Sequence, residues 1–292
     1  MKRNSAAIKL IARENLSGRY GTPMAALLLM VLCSLLPSML IVNTMSTATV
    51  LGIVTTQLLN YMVSLLVAVV GAGYAKLMLN ISRQEPFAVK DLFFAFSHHP
   101  DRFIIVHLIL LVIQFVFALP FDLPNYLNKN MSDNGVLLLM LFGSLANMVV
   151  NMILGLFFGL ADYLLLDNTE MSAMEAMKES LRLMKGNKGR LLCMDLSFIP
   201  LMLLCVLSCY VGFLWLTPYM RAAGTVFYMD VTGELDAPRP EPAPQPNDSF
   251  SNPFWALLGS LQTGGLMVYI IPLISEDSNI YQIYSLNSNF CL

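Results

Sequence analysis

Six long apolar stretches run along the chain, at roughly 24–42, 51–79, 103–121, 136–166, 191–208 and 211–230, each parted from the next by a more polar segment or a tight link. About 20 mostly apolar residues in a helix cross the hydrocarbon core of a bilayer. A helix also satisfies its own backbone hydrogen bonds there. The pattern predicts an all-α polytopic membrane bundle of six transmembrane helices. Pro23 opens the first stretch where its missing N–H costs nothing. The last two stretches meet at a tight link around Tyr210, which predicts a hairpin.

The polar segments carry a pattern of their own. Ser172 with Glu175 three residues later forms a capping box, and Gly186 supplies a stop. Between them Met174, Met177, Leu181 and Met184 read as one apolar stripe, with Glu175, Lys178, Glu179, Arg182 and Lys185 largely away from it. Such a helix suits the headgroup layer or a dock on the bundle. A shorter version lies in "AVKDLFFAFSHHP", where Val89, Leu92, Phe93 and Phe96 are expected on one face. A third is "NSAAIKLIAREN", with Ser5 as its cap and Ile8, Ile11 and Ala12 on one side. The plan is an amphipathic helix followed by a two-span hairpin, three times over. The span ends "LNIS", "LDNT" and "MDVT" echo one another, each suited to ending one helix and starting the next element.

Charge turns this pattern into an orientation. The segment before the first span holds Lys2, Arg3, Lys9, Arg13 and Arg19. The second–third connection adds Arg83, Lys90 and Arg102, and the fourth–fifth adds Lys178, Arg182, Lys185, Lys188 and Arg190. The connections on the opposite side carry Lys129 alone. By the positive-inside rule the basic segments, and with them the N-terminus, are expected in the cytoplasm. The first span is of full length with no convincing small-residue cleavage site after it, so it is expected to be retained. Hydrophobic residues make up 57% of the chain and Asp, Glu, Lys and Arg only 12%, too little charge to coat a soluble surface of this size. The net charge of −2 gives no reason to expect a nucleic-acid partner.

Residues 1–232 thus read as an integral membrane domain. Residues 233–253 read as a linker, proline alternating from Pro238 to Pro246. Residues 254–292 form an apolar C-terminal segment, long enough for a possible seventh span but interrupted by Gln262, glycines and Pro272.

Ionisable residues inside spans are functional candidates by default. Lys76, His107, Asp162, Asp195 and Arg221 are expected to form a polar cluster in the cytoplasmic leaflet, either as an ion path or as interhelical pairs and snorkelling ends. Lys76 and Asp162 each follow a glycine by three residues, in "GYAK" and "GLAD", which suggests that they pair. In the fourth span Gly143, Asn147, Asn151, Gly155, Gly159 and Asp162 step along one side, a seam that lets helix backbones approach. The five cysteines read as small apolar packing residues. His98 and His99 are an adjacent pair that is not expected to bind metal. No phosphate-binding loop, zinc motif or nucleophile motif occurs, so neither catalysis nor a cofactor is expected.

In "IARENLSGRYG", "DLFFAF", "EAMKESLRLMKGNKGRLLCMDLSFIP" and "LWLTPYMRAAGTVFYMD" the chain resembles the bacterial integral membrane family called domain of unknown function 975, common in Firmicutes. The likeness covers about residues 5–232. The family is distantly similar to membrane domains attached to glycerophosphodiester phosphodiesterases, which lack the catalytic barrel. The resemblance implies a six-span bundle of the bacterial plasma membrane and no known activity. The expected role is a non-enzymatic one, organising the bilayer or binding a membrane-protein partner or a second copy; the alternative is a transporter or channel built on the charged cluster.

Overall fold

The computed structural model describes residues 3–45, 50–127, 133–208 and 210–237. The expected linker beyond 237 and the apolar C-terminal segment lie outside the described residues. Within them every element is helical: α1 (Ser5–Leu16), α2 (Gly21–Thr44), α3 (Val50–Arg83), a 3₁₀ turn (Val89–Phe93) running into α4 (Phe94–Ser97), α5 (Pro100–Leu127), α6 (Asp133–Phe158), α7 (Ala161–Asp167), α8 (Ala173–Met184), α9 (Lys188–Leu196), α10 (Ile199–Leu207), α11 (Phe213–Thr232) and a closing 3₁₀ turn (Glu234–Asp236). Short helices precede α2, α5 and α9.

Among the described residues five helical stretches are long and apolar enough to cross a membrane: Gly21–Thr44, Val54–Arg83, Pro100–Phe121, Leu141–Asp167 and Lys188–Leu207. Leu36, Leu40, Leu58 and Met62 on the first two are more than half exposed, as side chains facing lipid would be. The sixth expected span is helical over 20 residues as α11 but is not among these five. Arg221, Asp230 and Thr225 and Tyr228 between them lower its apolarity, and Val226, Phe227, Tyr228 and Met229 are buried against protein.

Two spans are broken helices. The fourth stops at Phe158 and resumes at Ala161, and the fifth stops at Leu196 and resumes at Ile199, just before Pro200. Pro200 sits in the first turn of α10, where its missing donor is harmless. Long apolar runs hide such breaks, because hydropathy reads length and not backbone continuity.

The chain divides into two compact units interleaved in sequence. The first comprises the described residues within Met1–Leu28, Tyr74–Leu92 and Gly186–Leu292; the second is Leu29–Gly73 and Phe93–Lys185.

In the first unit α1 packs on α11 and α9, and α10 packs on α11. The α10–α11 hairpin turns where expected, with Tyr210 at φ 67 and its N–H donating to the Cys205 carbonyl at 3.0 Å. Gly212 is required there: a Cβ would stand 2.7 Å from Cys205 Sγ and 3.1 Å from Cys205 Cα. Tyr74 of α3 donates its hydroxyl to the Pro23 carbonyl of α2 at 3.4 Å. The cap of α1 is Asn4 and not Ser5, its side chain accepting from the Ala7 N–H at 2.9 Å. An amide oxygen caps as well as a hydroxyl, and Ser5 is drawn into the first turn.

In the second unit α5 packs along α6, and α8 lies across α5, α6 and α7. The α8 capping box forms in full between Ser172 and Glu175, and Gly186 follows the helix at φ 82. Its buried face is Ala173, Ala176, Met177, Ser180 and Met184, rotated from the expected methionine stripe. Met174 and Leu181 are 52% and 36% exposed. Small residues let α8 sit close, and the Ser180 hydroxyl donates to the Phe157 carbonyl at 2.9 Å beside the α6–α7 break. In the 89–97 segment Leu92 and Ala95 are buried while Phe93 and Phe96 are exposed, because the 3₁₀ turn shifts the register of a continuous α-helix.

Candidate functional site

The most strongly bound charges are in the first unit. Asp230, near the end of α11, has a side chain fully shielded from solvent. A carboxylate so placed needs cations and donors around it. Arg3 Nη1 donates to Asp230 Oδ1 at 3.0 Å, and Arg190 Nη2 donates to Asp230 Oδ2. Arg190 also donates to the Arg3 carbonyl, and its guanidinium lies 5.5 Å from the centre of the Phe227 ring. Arg3 Nη2 continues outward to the Leu235 carbonyl at 3.3 Å and Asp236 Oδ1 at 2.8 Å. The hydrogen bond to Asp230 raises the Arg3 pKa above its ordinary value, so that guanidinium stays charged. Arg83, at the end of α3, grips Glu234 through two hydrogen bonds of 2.6 and 2.9 Å.

A second set of contacts fastens the middle of α1. Lys9 Nζ donates to Ser197 Oγ at 2.9 Å and lies 5.3 Å from the centre of the Phe198 ring, both residues at the α9–α10 break. Tyr219 of α11 packs edge-on against Phe198 and donates its hydroxyl to the Lys9 carbonyl at 3.3 Å. Burial lowers the Lys9 pKa. The basic residues at 3, 9 and 190 therefore bind protein as well as setting charge beside the membrane.

The second unit holds its polar groups differently. His107 of α5 and Asp162 of α7 face one another, Nε2 to Oδ2, at 3.6 Å. His107 Nδ1 lies 3.0 Å from the Phe103 carbonyl, and Asp162 Oδ1 is buried with no hydrogen-bond partner. Asp162 sits three residues beyond Gly159, where the Gly159 N–H returns to the Gly155 carbonyl at 2.9 Å before α7 begins. Further along the same helices Gln114 Nε2 donates to Asn151 Oδ1 at 2.6 Å, and Asn151 Nδ2 donates to the Asn147 carbonyl at 2.9 Å. A Cβ on Gly143 would come within 2.9 Å of Phe121 Cβ. The glycine and amide seam thus acts in packing α5 against α6 at Gly143 and Asn151. Arg102 Nη1 binds the Asn168, Thr169 and Met171 carbonyls at 3.2, 2.7 and 3.0 Å, fixing the turn between α7 and α8.

Of the five expected cluster residues, the structure brings together His107 and Asp162. Lys76 lies on α3 within the first unit, with Asp195 exposed on α9 and Arg221 exposed on α11. Lys76 and Asp162, expected as a pair, belong to different units. Among the described residues no group of three or more His, Cys, Asp or Glu side chains is placed to hold a metal ion. A shallow depression beside α8, lined by Glu170, Glu175, Lys178, Glu179 and Arg182 among others, is open to solvent and mixed in charge. Sequence reasoning missed Asp230 because it sits at a span end, where a carboxylate is ordinarily hydrated. The available signal was its setting in "VFYMDVT", a carboxylate inside an apolar run.

The family described as "Protein of unknown function (DUF975)" matches residues 1–234. No curated protein and no solved structure matches the chain.

Proposed function

The chain belongs to the DUF975 family, whose function is unknown, and on that footing we propose that it is a non-enzymatic component of the bacterial plasma membrane that organises the bilayer or binds a membrane-protein partner. In this reading it spans six times with its N-terminus in the cytoplasm. The observation that supports it is the use made of its best-bound charges. Asp230, Arg3 and Arg190 join the amphipathic α1 to α9 and α11 in place of lining a cavity. The spans meanwhile keep their apolar side chains outward.

A transporter or channel is the second reading, favoured by His107 and Asp162. A broken helix beside an ionisable pair, with one carboxylate oxygen unbound, is how discontinuous membrane helices hold ions. Reconstitution separates the two. Proteoliposomes should show no ion or solute flux, and crosslinking in the native membrane should yield a stoichiometric membrane-protein complex. Flux abolished by Asp162→Asn overturns the organising reading. For orientation, single cysteines at Ser97 and Lys185, both exposed, should be shielded from an impermeant thiol reagent in intact cells. Labelling of both would reverse the topology.

A further inference from the structure

α8 has two working faces. One is spent on the second unit: Ala173, Ala176, Met177, Ser180 and Met184 are buried against α5, α6 and α7. A separate stripe is left outside. Met174, Lys178, Leu181 and Lys185 are spaced by four, three and four residues, which at 3.6 residues per turn sets them in one line. All four are exposed, Lys185 at the C-cap of the helix. Glu179 lies about 100° round from Lys178, while Glu175, three residues before Lys178, borders the line about 60° away and interacts with that lysine. Arg182 is paired with Glu179 at 2.5 Å. Apolar and cationic side chains therefore alternate along a stripe that contains no carboxylate.

The chain holds this helix at a bilayer surface. α7 ends the Leu141–Asp167 candidate span only five residues before α8 begins, and the Lys188–Leu207 candidate span starts three residues after α8 ends. At no more than about 3.6 Å per residue, links this short cannot carry α8 far from the membrane boundary. Methionine and leucine at that depth enter the acyl boundary, while lysines reach back to the phosphates.

We propose that the Met174–Lys178–Leu181–Lys185 stripe of α8 is a docking surface for anionic phospholipid headgroups. This deepens the membrane-organising reading and rests on it, naming what α8 gathers. Charge complementarity selects the occupant: Lys185, and Lys178 with Glu175 on one flank, attract a phosphodiester headgroup, and the interleaved Met174 and Leu181 favour a lipid over a soluble phosphate. The helix stays docked on the bundle by its other face, so recognition needs no refolding.

The test is amide hydrogen exchange over residues 173–185 of the full chain in nanodiscs of phosphatidylcholine with or without phosphatidylglycerol. Phosphatidylglycerol should slow exchange, each lysine contributing about five-fold to the preference, and high salt should remove the effect. Lys178→Gln with Lys185→Gln should abolish the difference, while Lys178→Arg with Lys185→Arg should keep it. Soluble glycerol phosphate should give no protection. Exchange indifferent to phosphatidylglycerol, or a preference that survives in the glutamine variant or in high salt, overturns the proposal. So does equal protection by glycerol phosphate, or by a co-purified protein in phosphatidylcholine alone. Should the glutamine variant fail to fold, the salt titration of the unmodified chain decides. None of these results depends on whether a partner complex forms or a solute crosses, so failure here stays distinct from failure of the organising reading.

Discussion

The two units solve one problem with different chemistry. In the first, helices far apart in sequence are joined by charge: Arg3 and Arg190 converge on a carboxylate that solvent does not reach, and Arg83 grips Glu234. In the second, α5 and α6 approach closely at Gly143, amides bond across at Gln114 and Asn151, and Arg102 and Ser180 bind backbone carbonyls. Its contact between His107 and Asp162 is longer, at 3.6 Å, with side chains 24% and 29% exposed. Apolar surface alone gives no specific attraction between helices in lipid, so each unit uses polar contacts or close packing to fix its neighbours. The first concentrates that specificity in one buried centre and the second spreads it thinly.

If that contrast holds, the largest effect comes from Asp230. Asp230→Ala leaves two arginines facing a buried vacancy and should cost about 3–5 kcal/mol, read as loss of folded yield and a lower thermal midpoint in detergent. Asp162→Asn should cost distinctly less, and equal losses would break the comparison. An intermediate effect is expected at Gly143. Gly143→Ala forces Phe121 and α5 back and should cost about 1–3 kcal/mol. Pulse proteolysis should show this loss in fragments of the second unit, with the first unit's cleavage unchanged. The smallest effect sharpens the account of α8. Ser172→Ala should remove about 1 kcal/mol of cap, visible as faster amide exchange in the first turn.

That cap also carries a pH dependence of known sign. Hydrogen bonds from the Ser172 backbone N–H and then its hydroxyl hold the Glu175 pKa below its ordinary 4.5. The stability this adds is present above the ordinary value and is lost as pH falls through the lowered one. The protection of the first turn of α8, relative to the unfolded chain at the same pH, should therefore fall in acid, and Ser172→Ala should flatten that fall.

How much of this was readable beforehand follows from the range of the forces involved. The apolar stretches, the Ser172–Glu175 box and the Tyr210 hairpin are local: each depends on residues a few positions apart. The glycine and amide seam of α6 was legible for the same reason. The rotated face of α8 was not, because Ala173, Ala176 and Ser180 bury as well as methionine when the neighbouring helix comes close. The sixth stretch reads as lipid-facing by hydropathy, yet α1 and α10 pack on it in the first unit. Asp230 and its partners were hardest, since nothing local links position 3 to position 230. The candidate cluster shared this difficulty: the sequence places four ionisable residues at similar depth and Arg221 deeper, but cannot say which helices bring them together.

The bond from Arg3 to Asp230 joins residues 227 positions apart, and that span sets a schedule. Arg3 precedes its carboxylate by 227 residues, and Asp230 emerges only when the last described long helix has been translated. At about 5–20 residues per second the N-terminal helix waits roughly ten to fifty seconds for the residue that will hold it. Until then α1 has its apolar face uncovered beside a growing membrane protein. The second unit lies wholly between those two events, so it can fold while the clasp is still open.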